Sequence, residues 1–101
     1  MARVLISPHA LADQDDIIRY LAREAGLPTA EKYHAAFDDL LSRLAEHPGI
    51  GAPRPGLGNS IRIWTIDPYV IIYEGDHDSD TVIIHRIVHG RRNIRPDLIT
   101  R

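Results

Sequence analysis

The sequence predicts an α+β fold in which an N-terminal strand precedes an antiparallel helical hairpin packed on a small antiparallel β-sheet. Three observations carry that prediction. Apolar residues recur at helical spacing from Ala10 to Leu44. Residues 48–60 then hold four glycines and three prolines in thirteen residues, which ends the helical periodicity. Three short runs rich in β-branched residues and tyrosine follow, joined by short polar connections, and such runs form neighbouring antiparallel strands.

Each element has its own signal. Arg3 to Ile6 is a short apolar strand. Ser7 is placed to cap the first helix, with Pro8 suited to its first turn. Ala10, Ile17, Leu21 and Ala25 mark its apolar stripe, widened by Leu11 and Ile18. Asp13, Asp15 and Asp16 sit in early turns, where the helix dipole favours acids. Gly26 stops this helix, and Leu27 is expected to fold back on Ala22 or Leu21. Pro28-Thr29 opens the second helix, whose face is Tyr33, Phe37, Leu40, Leu41 and Leu44. It ends near His47, because Pro48 disfavours a helical residue before it. The strands of the meander are Ile61 to Ile66, Tyr69 to Glu74 and Thr81 to His89, with turns at Asp67-Pro68 and Gly75 to Asp80.

Composition limits the functional classes. A chain of 101 residues with 44% hydrophobic and 26% charged residues is expected to form one domain, residues 1–101, and not a disordered segment. There is no cysteine, so disulfides and thiolate metal sites are absent, consistent with a cytoplasmic protein. Ala10-Leu11-Ala12 imitates a signal-peptidase site, but the apolar run before it is too short, and no run reaches the ~18 residues of a membrane span. The net charge of −2 conceals an uneven distribution. Eleven of the twelve basic residues are arginine, and five of these lie between Arg86 and Arg101 against one acid, Asp97. Arginine forks suit carboxylates, phosphates and protein hot spots. The chain as a whole is not basic enough for a general nucleic-acid coat.

Several side chains are candidates for chemistry. His85 and His89 fall on one face of a strand but ~13 Å apart at ~3.3 Å per residue, too far to share a metal. The better reading is one packed histidine and one at the strand end. Glycines 49, 51, 56 and 58 lack the lysine and hydroxyl residue of a phosphate-binding loop. Trp64, beside Arg62 and Ile66, has the character of an interface anchor. In the tail, Ile94, Leu98 and Ile99 interleave with Arg91, Arg92 and Arg95, giving it apolar surface to dock on the sheet or on a partner.

These stretches resemble the ParE branch of the RelE/ParE toxins of bacterial toxin–antitoxin systems. The resemblance lies in the Ser7, Ala10, Asp13, Ile17 and Tyr20 opening, in Leu44-Ala45-Glu46-His47-Pro48-Gly49-Ile50-Gly51, in Arg62 ahead of Tyr69-Val70-Ile71-Ile72-Tyr73, and in Arg86-Ile87-Val88-His89-Gly90-Arg91-Arg92-Asn93. It implies a small toxin encoded beside a ParD-type antitoxin. ParE-like members poison DNA gyrase, whereas RelE-like members cut messenger RNA on the ribosome. RelE-like members place a strand arginine and a lysine where this chain has Val70 and Trp64, and no tyrosine follows the terminal basic motif. The resemblance therefore implies gyrase inhibition, with no cofactor or metal, and with DNA reached only through the antitoxin complex. The alternatives are an mRNA endonuclease using Arg62, Arg92 and His89, or a non-toxic antitoxin-binding module. Arg86, His89, Arg91, Arg92 and Arg95 are the target-binding candidates. Ile18, Phe37, Leu41, Trp64 and Ile66 are the candidates for a groove that receives a folding-on-binding antitoxin segment.

Overall fold

The computed structural model describes residues 1–99; Thr100 and Arg101, the last of the five C-terminal arginines, lie outside the described residues. The chain forms β1 (Arg3–Ile6), α1 (Pro8–Ala25), α2 (Leu27–Glu46), β2 (Ala52–Pro53), β3 (Ile61–Ile66), β4 (Tyr69–Glu74) and β5 (Thr81–His89). The strands make one sheet in the order β1-β5-β4-β3-β2. β3, β4 and β5 are the antiparallel meander expected from their short connections. β1 departs from that expectation, because it pairs in parallel with β5, Arg3 opposite Thr81 and Ile6 opposite Ile84, and the sheet is mixed. The long helical hairpin is what permits this, since parallel strands need an extended crossover.

Ser7 explains how β1 passes into α1. Its N–H donates to the Ile84 carbonyl, its hydroxyl donates to the His85 carbonyl, and the same oxygen accepts from Ala10 N–H. One residue thus ends the strand pairing and caps the helix. At the hairpin, Gly26 has φ +95°, and α2 starts immediately at Leu27 with Pro28 in its first turn. Leu27 is exposed and does not fold back on α1, because it is already helical and its side chain points to solvent.

Apolar residues fill both faces of the sheet. On one, Ala10 and Leu21 of α1 with Ala30, Phe37, Leu40 and Leu44 of α2 pack against Tyr69, Ile71, Tyr73, Val82, Ile84 and Ile87. On the other, Ile61, Val70, Ile72 and Val88 are covered by Leu98, with Leu57, Ile63, Ile94 and Ile99 around them. The tail docks on its own sheet. A bulge in β5 makes both faces apolar. Ile72 lies opposite Arg86 and Tyr73 opposite Ile84, so His85 is the extra residue and the alternation resets after it. Val82, Ile84 and Ile87 therefore all face the helices, while Val88 faces away.

The Pro/Gly-rich stretch is held from beneath. Tyr73, fully buried, accepts from Gly51 N–H at 2.8 Å and donates to the Pro48 carbonyl at 2.9 Å. Arg62 donates to the carbonyls of Gly49, Gly51 and Gly75. Glycine is required where this passage presses on the core: a Cβ at Gly51 would stand 2.5 Å from the Ile63 carbonyl oxygen.

Candidate functional site

The arginine arm begins where β5 meets the β3–β4 turn. Gly90 N–H donates to the Pro68 carbonyl at 2.8 Å, and a Cβ on Gly90 would crowd that oxygen at 3.1 Å. Arg92 N–H donates to the His89 carbonyl, and Arg91 N–H donates to His89 Nδ1. Eight residues beyond Gly90, Leu98 is buried against the second face of the sheet. The arm is thus tied at both ends, and Arg91, Arg92 and Arg95 are exposed between the ties. Among the described residues Arg91 and Arg92 have no ion-pair partner, and Arg95 approaches Asp97 at 3.5 Å. His89 is exposed at the strand end, its ring 6.0 Å from that of Tyr69 in an edge-to-face arrangement.

Arg86 is not part of this exposed set. Its Nε and Nη2 donate to the two carboxylate oxygens of Asp13 at 2.7 and 3.0 Å, and Asp13 also accepts from Ile87 N–H. The carboxylate beside it pushes the guanidinium further above its ordinary range. With its side chain 16% exposed, Arg86 joins α1 to the edge of β5 that β1 leaves uncovered, and is no free contact for a target. His85 is packed, with Nε2 3.0 Å from Glu74 Oε1.

Arg62, the other basic residue considered for RNA cleavage, is committed to backbone carbonyls. It pairs with Tyr73, whereas His89 pairs with Tyr69, so Arg62 and the His89–Arg92 end lie four residues apart along β4, ~13 Å at ~3.3 Å per residue. The strands therefore do not bring Arg62, His89 and Arg92 to one phosphate.

The groove candidates divide into three groups. Ile18 lines an open groove of about 620 Å³ with Pro8, Leu11, Ala12 and His34, along the exposed seam of the hairpin. Trp64 and Ile66 line a separate hollow of about 240 Å³ with Ala36, Leu40 and Arg43. Leu41, on α2, is half-buried beside Ile6, Gln14 and Ile84. Phe37 is a correction: only 3% exposed, it packs under the hairpin against the Tyr69 ring and presents no surface to a partner. Besides Ala25, which is exposed, Leu11 belongs to the expected apolar stripe of α1 but is turned outward, 57% exposed on the groove wall. The only signal for it was its position at the border of the apolar stripe.

The family profile described as "ParE toxin of type II toxin-antitoxin system, parDE" matches residues 4–94. The chain belongs to the ParE toxin family. Toxin ParE1 of Caulobacter vibrioides is 31% identical over 93 residues, covering 92% of this chain and 94% of that protein. Toxin ParE3 of the same organism is 26% identical over 98 residues, covering 97% and 96%. A solved structure titled "Chromosomal ParDE TA system from P. aeruginosa" shares the fold, with a TM-score of 0.71 at 22% identity over 88% of this chain and 96% of that one. ParE membership makes the protein a toxin of a type II toxin–antitoxin system, and the fold agrees with two helices on a five-stranded mixed sheet.

Proposed function

We propose that this ParE-family chain acts in the cytoplasm by binding DNA gyrase through Arg91, Arg92, Arg95 and His89, and that a ParD-type antitoxin neutralises it. The observation that carries the reading is the doubly tied arm, which holds Arg91 and Arg92 exposed without an ion-pair partner among the described residues. A short tether costs little ordering entropy on binding, and arginines on such a tether make good interface anchors. The antitoxin reading draws on the hairpin groove, where Leu11 and Ile18 leave apolar surface that an amphipathic segment covers by folding onto it. The complex reaches DNA through the antitoxin, and the toxin breaks no bond itself.

Supercoiling by purified gyrase is the decisive measurement. The chain is expected to inhibit supercoiling or to trap cleaved DNA, and to leave mRNA on ribosomes intact. Replacing Arg91 and Arg92 together with alanine should raise the half-inhibitory concentration at least about tenfold, the loss expected of two interface arginines, with unchanged urea stability. Ribosome-stimulated cleavage that disappears in Arg92→Ala would replace this reading with the endonuclease one. Inactivity in both assays would leave an antitoxin-binding module.

A further inference from the structure

We propose that the cleft between Tyr20, Tyr33 and Tyr69, with Asp16 in its wall, seats an arginine side chain of the target protein. This deepens the function proposed above by naming the chemistry of the target surface beside the arm. The cleft, of about 590 Å³, opens where α1, the start of α2, the β3–β4 turn and the end of β5 meet. Its aromatic walls stand at right angles. Tyr33 and Tyr69 have ring centroids 5.6 Å apart with planes at 90°, and His89 continues the series beyond Tyr69 at 83°. Burial pushes the Tyr69 phenol above its ordinary range, and the nearby Tyr33 and Tyr20 phenols push it further, while the Tyr33 hydroxyl donates to the Asp67 carbonyl at 3.1 Å. Neutral phenols offer π faces and oxygen acceptors to a cation.

Charge selects the occupant. Asp13 is engaged by Arg86 and Asp15 by Arg19, whereas Asp16 has no ion-pair partner among the described residues. Among the described residues no lysine or arginine lines the cleft. A planar guanidinium stacks on a phenol ring while its fork reaches a carboxylate, a combination that a compact ammonium satisfies less well. Tyr20, 53% exposed, is the accessible wall. Because His89 forms another wall and leads directly into Gly90-Arg91-Arg92, a protein gripped by the arm lies against the cleft.

The test titrates N-acetyl-arginine methylamide into the purified chain and follows the tyrosine ring signals by NMR, with N-acetyl-norleucine methylamide as the uncharged comparison. Saturable shifts of the Tyr20 and Tyr33 rings at millimolar arginine probe are expected, and none with the norleucine probe. Asp16→Asn should weaken binding about fivefold to tenfold and Tyr20→Leu should abolish it, while Tyr20→Phe, which keeps the π face, stays within about twofold. Equal shifts with both probes, no saturable shift, or indifference to Asp16→Asn would overturn the inference. In the supercoiling assay Asp16→Asn should demand about fivefold more protein for half-inhibition. If the arginine probe binds with the expected dependence on Asp16 but the unaltered chain leaves gyrase untouched, the guanidinium site stands and the gyrase reading falls.

Discussion

The Tyr73 hydroxyl closes the Pro48–Gly51 passage, and its removal strands a buried N–H and a buried carbonyl together. Each stranded group costs about 1–3 kcal/mol. Tyr73→Phe is therefore expected to lower the unfolding free energy by about 2–6 kcal/mol, measured by urea denaturation, although only one oxygen is lost. The same residue gives the stability a pH dependence. Burial is the main cause holding the Tyr73 and Tyr69 phenols above their ordinary range, so the folded chain keeps protons that the unfolded chain releases. Stability should then fall as pH rises beyond about 10 and continue falling through the folded-state values. Urea midpoints between pH 9 and 11 check this, and Tyr73→Phe should flatten the slope. Arg62 shows what a sequence conceals at this scale. A strand arginine in a toxin-like pattern reads as a phosphate ligand, but its acceptors are glycine carbonyls in two separate connections whose meeting no local pattern specifies.

At the scale of elements, the tail is a clasp whose apolar end holds its charged middle in place. Leu98→Ala would open a cavity in the smaller core, which has few neighbours able to close it, and should cost about 2–3 kcal/mol. The same substitution should speed tryptic cleavage after Arg91 and Arg92, because the distal tie is gone; limited proteolysis of the two proteins side by side measures it. Helix limits, caps and the meander were legible in the sequence because each depends on neighbours a few residues away. Ser7, Pro8, Gly26, Pro48 and the Asp67-Pro68 turn all act locally. The parallel place of β1 was not legible, since it depends on residues about eighty positions later. The bulge at His85 was hidden for another reason: a run of alternating β-branched residues looks the same with or without a shift in register. That shift also determines which apolar residues face the helices. The burial of Phe37 followed from the packing of α2, and periodicity showed its face without showing how deeply that face is covered.

For the whole molecule, the hairpin groove and the tyrosine cleft adjoin along α1 but share no lining residue. The hairpin seam with Leu11 and Ile18 is distinct from the arm, so antitoxin affinity and gyrase inhibition should respond to different substitutions. Ile18→Glu is expected to weaken binding of a ParD-type segment by about a hundredfold, as a charge forced into an apolar contact does, and to leave supercoiling inhibition within about twofold. Titration calorimetry with the antitoxin segment, run beside the supercoiling assay, measures both. A ligand that binds only the folded form also raises its thermal midpoint, so the complex should melt above the free chain. One feature of the sheet bears on when such a complex can first form. The strand at residues 3–6 finds its hydrogen-bonding neighbour only in residues 81–84, so a chain still growing on the ribosome has an open sheet until those residues have emerged. The sheet of this toxin is consequently completed only after residues 81–84 leave the ribosome, and a chain truncated ahead of residue 81 should be inactive.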